Sequence, residues 1–157
     1  MNATVQRVVD AAAAQGLSIE VREFPEGTRT AQDAAAAIGV EVAQIVKSLA
    51  FAVDGEIVLA LVSGANRLSE GSLSAAAGGG KVGRADADAV REATSFAIGG
   101  VPPFGHRARL ATYVDRDLLT FDVVWAAAGT PTHVFSITPD DLVRVSGGAV
   151  TDLKERG

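Results

Sequence analysis

The sequence predicts a mixed α/β domain with antiparallel strand pairs. Helical and strand-like segments follow one another irregularly, so the chain does not have the strict alternation of a doubly wound sheet. Two long apolar runs flank Asp54-Gly55, a dipeptide that favours a tight hairpin and therefore antiparallel pairing. The length of 157 residues suits a single core, and we expect residues 1–157 to form one domain.

The first part of the chain predicts two helices separated by a strand. Residues 4–16 carry apolar side chains at helical spacing and end at a glycine. Residues 18–24 alternate imperfectly between apolar and polar, which is typical of a strand. Residues 30–39 begin with Thr30 as an N-cap and again end at a glycine, which predicts a short helix. A further helical turn is expected over 41–45.

The centre of the chain predicts a hairpin followed by two helices. Residues 46–63 form the two strands around the turn, and this is the strongest structural signal in the sequence. Residues 69–78 predict a weak helix, because glycine and serine lower its helical propensity. Residues 86–94 have a more regular helical pattern. The central hairpin is therefore expected to lie in the middle of the sheet.

The last third of the chain predicts mostly strands. One strand is expected over 109–115, and two more within 120–139 on either side of the turn 128–132. A proline then opens a one-turn helix over 139–145. The sequence Val-Arg-Val-Ser at 143–146 also has the composition of a last strand.

Composition excludes several classes of function. With 14 basic and 19 acidic residues the net charge is −5, which argues against wrapping a nucleic-acid duplex and leaves room only for a local basic patch. The chain has no cysteine, so thiol catalysis and thiolate metal sites are excluded. Its two histidines are far apart and lack the spacing of metal ligands, so neither a metal nor another cofactor is expected.

Two further observations concern cellular location. No apolar run reaches the roughly 18–20 residues that span a bilayer. The first residues carry an acid and amphipathic spacing in place of the features of a signal peptide. We therefore expect no contact with a membrane, and the cytoplasm is the default location.

Lys47 lies within an apolar run that enters the hairpin. By strand alternation Val46 and Ser48 face one side, whereas Lys47 and Leu49 face the other. A lysine on the inner face of a strand needs an anionic partner or an opening into a cavity. The alternative is a lysine at the edge of the sheet that reaches solvent. The residues alone leave both possibilities open.

Two turns rich in special residues are candidates for a ligand cradle. Glycines and prolines at 99–105 can expose consecutive backbone N–H groups at fixed angles, and 128–133 combines a tight turn with hydroxyls and a histidine. Either could equally be a plain connection. Residues 78–83 read Gly-Gly-Gly-Lys-Val-Gly, but they lack the order of a phosphate-binding P-loop and are better interpreted as a link from a helix to a strand.

Taken in order, these segments resemble the YbaK/prolyl-tRNA-synthetase-associated domain family. The resemblance covers roughly residues 30–146 and rests on a series of motifs: IVKSLAF, DGEIVLALVSGANRL, GGGKVGRADADAVREAT, FAIGGVPPFGH and AGTPTHVFSITPDDLVRV. It implies a curved, largely antiparallel sheet flanked by helices. It also implies a free-standing, trans-acting aminoacyl-tRNA deacylase, which proofreads translation by hydrolysing the ester of mischarged tRNA.

The resemblance also implies roles for particular residues. The lysine typical of the family corresponds to Lys47, its G-x-x-P-x-G loop to 100–105, and the glycine of its later turn to Gly129. The lysine is expected to be an electrostatic anchor, and the loop amides to hold the carbonyl or the attacking water. The implied catalytic residues are Lys47, Gly100 and Gly129. The implied substrate-binding residues are Ser48, Val101, Pro102, Pro103, Phe104, Gly105, His106, Thr130 and His133.

The substrate amino acid stays open at this point. Lys47 is followed by Ser48, whereas the alanine-editing branch has an asparagine there, and the turn 128–133 lacks the Ser-Gly-Gly of the cysteine-specific branch. The expected partner is the aminoacylated CCA end of a tRNA, and an aminoacyl-tRNA synthetase is a further candidate partner. The chain is expected to be a monomer or a weak homodimer. Residues able to form a basic patch are Arg67, Lys81, Arg84, Arg107 and Arg109. The alternative function is a non-catalytic binding module for a tRNA 3′ end or a nucleotide-like ligand, or a non-catalytic partner of a synthetase.

Overall fold

The computed structural model describes residues 2–25, 30–96, 100–107 and 109–155. Over these residues it contains helices and strands in the following order: α1 (Ala3–Ala14), β1 (Val21–Glu23), α2 (Ala31–Ile38), β2 (Val46–Val53), β3 (Glu56–Ser63), α3 (Glu70–Ala76), β4 (Val82–Arg84), α4 (Ala87–Thr94), β5 (Thr112–Asp115), β6 (Val124–Ala127), β7 (His133–Ile137), α5 (Pro139–Ser146) and β8 (Ala149–Thr151). Short 3₁₀ helices lie at Val42–Gln44 and Arg116–Thr120. The mixed α/β class is confirmed.

The strands form two sheets. The smaller has the order β1-β7-β6 and is antiparallel throughout. The larger has the order β4-β2-β3-β5-β8, in which β3-β5 and β5-β8 are parallel pairs. The pairs are therefore mostly antiparallel, as predicted, but they do not share one sheet. The two sheets touch through an isolated bridge between Ile45 and Trp125.

The predicted hairpin is confirmed. Asp54 has φ 49° and Gly55 has φ 85°, the pair of positive values that a type I′ turn requires. The Asp54 carboxylate also accepts a hydrogen bond from the Lys81 backbone N–H at 2.9 Å, which attaches β4 to the turn. The register of β2 with β3 places Lys47 opposite Val62.

Helix α2 begins and ends where the sequence predicts. The Thr30 hydroxyl accepts a hydrogen bond from the Asp33 N–H at 3.0 Å, and Gly39 ends the helix in the left-handed conformation at φ 88°. Both signals are local, so they can be identified without knowledge of the tertiary structure.

The secondary structure predicted for the last part of the chain is wrong in one respect. Residues 143–146 belong to α5, which runs for two turns with Leu142 and Val145 buried at i, i+3 spacing. Gly147 ends this helix at φ 67°, and the last strand is β8, beside β5. Burial of the helical face outweighs the β-propensity of the valines. Strand β4 and the 3₁₀ helix at Arg116–Thr120 are likewise not predicted.

The hydrophobic core has two layers, one on each face of the larger sheet. Leu59 and Leu61 of β3 point into the main cluster, which also contains α1 and Phe135 of β7. Ala60 and Val62 point into a second cluster beneath α3. Because β3 is buried on both faces, its sequence is an almost unbroken apolar run. None of the helices within the described ranges has both the length and the apolarity needed to cross a bilayer.

Candidate functional site

A cavity of about 400 Å³ lies where the two sheets meet. Its walls are α2, the beginning of β2, and the neighbouring strands β6 and β7. The lining residues are Thr30, Ala31, Gln32, Ala34, Ile38, Ile45, Val46, Lys47, Ser48, Leu49, Gly64, Val101, Trp125, Ala126, Ala127 and Val134. Most are apolar, and the polar groups concentrate on β2 and on the N-terminal end of α2, an arrangement typical of small-ligand sites.

The start of β2 supplies the cavity with Lys47 and Ser48. Strand alternation holds as predicted: Val46 packs in the main core cluster, whereas Leu49 packs in the cluster beneath α3. Lys47 shares the face of Leu49. The side chains of Lys47 and Ser48 therefore leave the strand in opposite directions, while both residues contribute to the cavity lining.

The Lys47 ammonium is held by a backbone carbonyl. Its Nζ donates to the Asn66 oxygen at 2.6 Å, and the side chain is half-buried. Burial lowers the pKa of Lys47 from its usual range, attraction to the Asp115 carboxylate opposes that shift, and repulsion from Arg67 adds to it. Of the two possibilities left by the sequence, the structure favours the inner face: the direct partner of the ammonium is the Asn66 carbonyl, and the Asp115 carboxylate acts on it at longer range.

The Ser48 hydroxyl is buried and has no hydrogen-bond partner among the residues that the structure describes. An unpartnered buried hydroxyl is unfavourable, because it has lost its hydration without replacement. Ser48 lines the cavity. The hydroxyl is therefore available to a ligand.

The glycine-rich loop and the later turn are in contact with each other. A Cβ on Gly100 would lie 2.7 Å from the Thr130 Cα and 2.8 Å from the Gly129 oxygen, so only glycine permits this approach. Gly129 itself has φ 102° and packs against Thr4 of α1. Gly99, which belongs to the predicted cradle, lies outside the described residues. Residues 100–104 are buried, so this part of the loop is a packed wall.

His106 is hydrogen-bonded to the backbone of the glycine-rich loop. Its Nε2 donates to the Pro102 oxygen at 2.7 Å, and its ring meets the Phe96 ring edge-on with centroids 6.2 Å apart. Burial lowers the pKa of His106; the bond to Pro102 opposes the shift, and Arg7 adds to it. His106 is thus a neutral donor that fixes the loop, and it does not line the cavity.

His133 is on the other face of its strand from the cavity. Val134 lines the cavity, whereas His133 pairs across the strands with Glu23, with Nε2 and Oε2 3.4 Å apart. Its Nδ1 lies 2.5 Å from the Thr130 hydroxyl. His133 and Thr130 therefore stabilise the turn beside Gly100.

Of the predicted site residues, the structure brings Lys47, Ser48 and Val101 to the cavity. Gly100 precedes Val101 in the chain and contacts Gly129 of the turn. The other predicted residues support the loop or the turn and are absent from the lining: Pro102, Pro103, Phe104, Gly105, His106, Thr130 and His133. Gly105 has φ 83° and packs against Ala11 of α1.

Sequence reasoning missed the opposite wall of the cavity. Trp125 and Val134 come from β6 and β7, and the register places Arg22 opposite Val134 on the same face. The Arg22 guanidinium carbon lies 5.5 Å from the Trp125 ring and 5.1 Å from the Phe24 ring. The one available signal was that Trp125 is the chain's single tryptophan.

The predicted basic patch is dispersed. Arg67 acts on the charge of Lys47, whereas Arg84 pairs beside Phe51 near the far end of β2. Arg107 lines a separate shallow depression against α4. Across the described part of the chain, no three His, Cys, Asp or Glu side chains are grouped so that they could hold a metal ion.

Comparison with known proteins matches residues 25–145 to the sequence model of the aminoacyl-tRNA editing domain. Uncharacterized protein YwhH of Bacillus subtilis (strain 168) is 32% identical over 127 residues, which is 81% of either chain. The proline–tRNA ligase of Maridesulfovibrio salexigens is 34% identical over 110 residues, or 69% of this chain. That match covers 19% of the ligase, so the chain spans about a fifth of the length of this relative.

Solved structures agree over nearly the whole chain. A crystal structure described as that of a candidate trans-editing enzyme for prolyl tRNA synthetase is 46% identical, with a TM-score of 0.94 over 99% of both chains. The crystal structure of hypothetical protein APE2540 is 32% identical, with a TM-score of 0.87 over 95% of this chain and 99% of that one. The observed fold is thus shared with these proteins.

Proposed function

The chain belongs to the aminoacyl-tRNA editing domain family, and on that premise we propose that it is a trans-acting deacylase of mischarged tRNA. The reaction is hydrolysis of the ester between an amino acid and the 3′ end of a tRNA. Similarity to one segment of proline–tRNA ligases and to a candidate trans-editing enzyme supports tRNA for proline as the substrate class. Editing at a second site is needed where binding alone cannot reject a similar amino acid.

The observation that carries the proposal is the cavity itself. Its lining includes Lys47, the Ser48 residue whose hydroxyl has no partner among the described residues, and mostly apolar walls around a volume of about 400 Å³. Such a site suits an aminoacyl group, because the cation can hold an ester or phosphate oxygen while the walls enclose the side chain.

Lys47 acts as an electrostatic anchor in this proposal. Its Nζ donates to the Asn66 carbonyl at 2.6 Å. Burial lowers the pKa of Lys47, and attraction to the Asp115 carboxylate opposes that shift. We assign Lys47 the role of a cation and not that of a general base. An aminoacyl ester is already activated, and its hydrolysis by water needs polarisation of the carbonyl more than a strong nucleophile.

The glycine-rich loop provides a rigid wall. Gly100 packs on Gly129 with no space for a Cβ, and His106 fixes Pro102 from the other side. Val101, between these two fixed points, lines the cavity. We propose that the loop amides polarise the scissile carbonyl or the attacking water, as the family resemblance implies.

Only the acceptor end of the tRNA enters the site. The cavity has the volume for one aminoacyl group and part of a nucleoside, and the net charge of −5 disfavours a larger nucleic-acid footprint. The exposed Arg22 and the half-buried rings of Phe24 and Trp125 form a cationic and aromatic edge beside it, which suits a phosphate and a stacked base. An enzyme with this substrate works beside a synthetase in the cytoplasm.

The test is deacylation of a panel of charged tRNAs. Proline tRNA is charged with cysteine, alanine or serine, and cognate prolyl-tRNA is the control. We expect release of at least one wrong amino acid by the wild type and an approximately 100-fold lower rate for Lys47→Ala, because a charged hydrogen bond is lost. Lys47→Arg, which keeps the charge, should retain part of the rate.

The matched control is Arg91→Ala, which removes an exposed cation on α4 without touching the cavity. Its rate should equal that of the wild type. Binding of the tRNA 3′ end without release of any amino acid would overturn the enzymatic proposal and favour the binding module. Full activity of Lys47→Ala would contradict the role of the lysine.

A further inference from the structure

Asp115 is a buried carboxylate at the end of β5, and the proposed reaction has so far given it no role. Only 1% of the Asp115 surface is exposed. Its Oδ2 accepts from the Ser63 N–H at 3.0 Å and from the Asn66 Nδ2 at 2.9 Å, while its Oδ1 accepts from the Asp117 N–H at 3.0 Å. All three bonds hold backbone or amide groups at the end of β3 and the start of the 3₁₀ helix.

These bonds determine where Asn66 lies. The Asn66 Nδ2 donates both to Asp115 and to the Asp117 Oδ2 at 2.8 Å, and its backbone N–H donates to the Ser63 oxygen at 2.9 Å. Side chain and backbone of Asn66 are therefore both fixed. The carbonyl of this same residue accepts the Lys47 ammonium.

We propose that Asp115 is the positioning residue for Lys47: it fixes the Asn66 carbonyl that holds the ammonium and places a buried carboxylate on the same side of the site. The proposal rests on the proposed function, because positioning matters only if the ammonium acts on a substrate. A carboxylate that only capped the 3₁₀ helix would need its Oδ1 bond alone. The two bonds of Oδ2 instead point towards the β3 end and Asn66.

Burial, the largest cause, lowers the pKa of Lys47, and two charged groups act on it as well. Attraction to Asp115 raises its pKa, and repulsion from Arg67 lowers it. Asp117 acts from the 3₁₀ helix through the Asn66 amide and is itself 3.8 Å from the Lys154 ammonium. Because Asp115 lies in the interior, its charge is screened least by solvent.

The direct test measures the pKa of Lys47 without reference to activity. The chain has three lysines, Lys47, Lys81 and Lys154, so lysine labelled with ¹³C at Cε gives an NMR titration with three resolvable signals. In Asp115→Asn we expect the Lys47 transition to move to lower pH, with that of Lys81 unchanged. Asp122→Asn, which removes an exposed carboxylate, should move none of them.

Activity provides the second readout. Asp115→Asn should lower kcat/KM at neutral pH about tenfold, because the charge-assisted contact is weakened. The loss of activity at alkaline pH should also begin at lower pH than in the wild type, after subtraction of the uncatalysed hydrolysis. Asn66→Ala keeps the Asp115 carboxylate but removes the side-chain bonds that fix the backbone carbonyl of residue 66. It should therefore lower kcat/KM with a smaller shift of the pH profile.

The outcomes separate this proposal from the proposed function. Suppose that the Lys47 transition shifts in Asp115→Asn but the wild type hydrolyses no ester. This result would overturn the deacylase proposal and leave the electrostatic role of Asp115 intact. An unshifted titration in a folded Asp115→Asn chain would overturn the positioning role, even with an active wild type. If Asp115→Asn does not fold, an unchanged rate and profile in Asn66→Ala overturn it.

Discussion

At the scale of single residues, Ser48 is a position where stability and binding are expected to oppose each other. Its hydroxyl is buried beside the cavity and has no partner within the described part of the protein. Leaving such a group unsatisfied costs about 1–3 kcal/mol. A site that keeps an unfavourable hydroxyl in an apolar wall is typical of one that uses it for a ligand.

Ser48→Ala is therefore expected to stabilise the fold and weaken the reaction. The free energy of unfolding should rise by about 1 kcal/mol, which raises the Tm by roughly 3 °C. The kcat/KM for the preferred charged tRNA should fall, because the substrate loses a hydrogen bond. Thermal melts and deacylation rates check the two effects, with the exposed Ser18→Ala as control. A less stable variant with unchanged kcat/KM would contradict this account of Ser48.

His106 should make the fold sensitive to mild acid. Burial lowers its pKa, so the unfolded chain binds a proton at a pH where the folded chain does not. The stabilisation is present above the ordinary histidine pKa of about 6.5 and is lost as the pH falls towards the lower value in the fold. His106→Gln, which keeps a donor for Pro102, should reduce this loss.

The measurement is the difference in urea midpoint between pH 7.5 and pH 5. We expect this difference to be smaller in His106→Gln than in the wild type. His133→Gln is the matched control, because it leaves His106 and its buried surroundings intact. Equal differences in the wild type and in His106→Gln would show that another group causes the acid sensitivity.

At the scale of elements, the contact between loop and turn determines the shape of the wall behind Val101. Gly100 meets the backbone of Gly129 and Thr130 at distances that leave no space for a side chain. Neither segment can give way easily, because both partners in the contact are backbone atoms. The loop and the turn are thus packed one on the other.

Gly100→Ala is expected to destabilise the protein, whereas Gly71→Ala is expected to stabilise it. A Cβ on Gly100 would lie 2.7 Å from the Thr130 Cα, and relieving this overlap costs about 1–3 kcal/mol. Gly71 lies in α3, with its nearest neighbour 3.9 Å from the added Cβ, so alanine there gains about 0.5–1 kcal/mol. Chemical denaturation of both variants checks the opposite signs. Equal stability of the two would contradict the close contact.

The elements also show what the sequence can predict about this fold. The hairpin at Asp54-Gly55 and the cap at Thr30 depend on local chemistry, and both are confirmed. The end of the chain depends on burial, so Val145 joins a helix although its neighbours favour a strand. Which face of a sheet a side chain occupies depends on the register of its strand. The position of His133, opposite Glu23 and on the other face from the cavity, could therefore not be predicted from the sequence.

At the scale of the whole molecule, the cavity lies where the two sheets meet at the bridge between Ile45 and Trp125. Ala34 and Ala35 of α2 pack in one cluster with these two residues. Lys47 could be identified from the sequence as a candidate site residue, because a lysine is unusual in an apolar run. Trp125 and Asp115 could not, because only the tertiary structure brings β6 and β5 to β2 and β3.

The central claim is that ester hydrolysis takes place in this cavity, and occluding it is the most direct test. Ala127 lines the cavity from β6, opposite Val134, so Ala127→Leu would fill part of the volume with a larger apolar side chain. The measurement is the deacylation rate of Ala127→Leu relative to the wild type, on the mischarged tRNA that the wild type prefers. We predict that the rate falls about tenfold in a variant that melts cooperatively. A folded Ala127→Leu chain with the wild-type rate would contradict the assignment of the site.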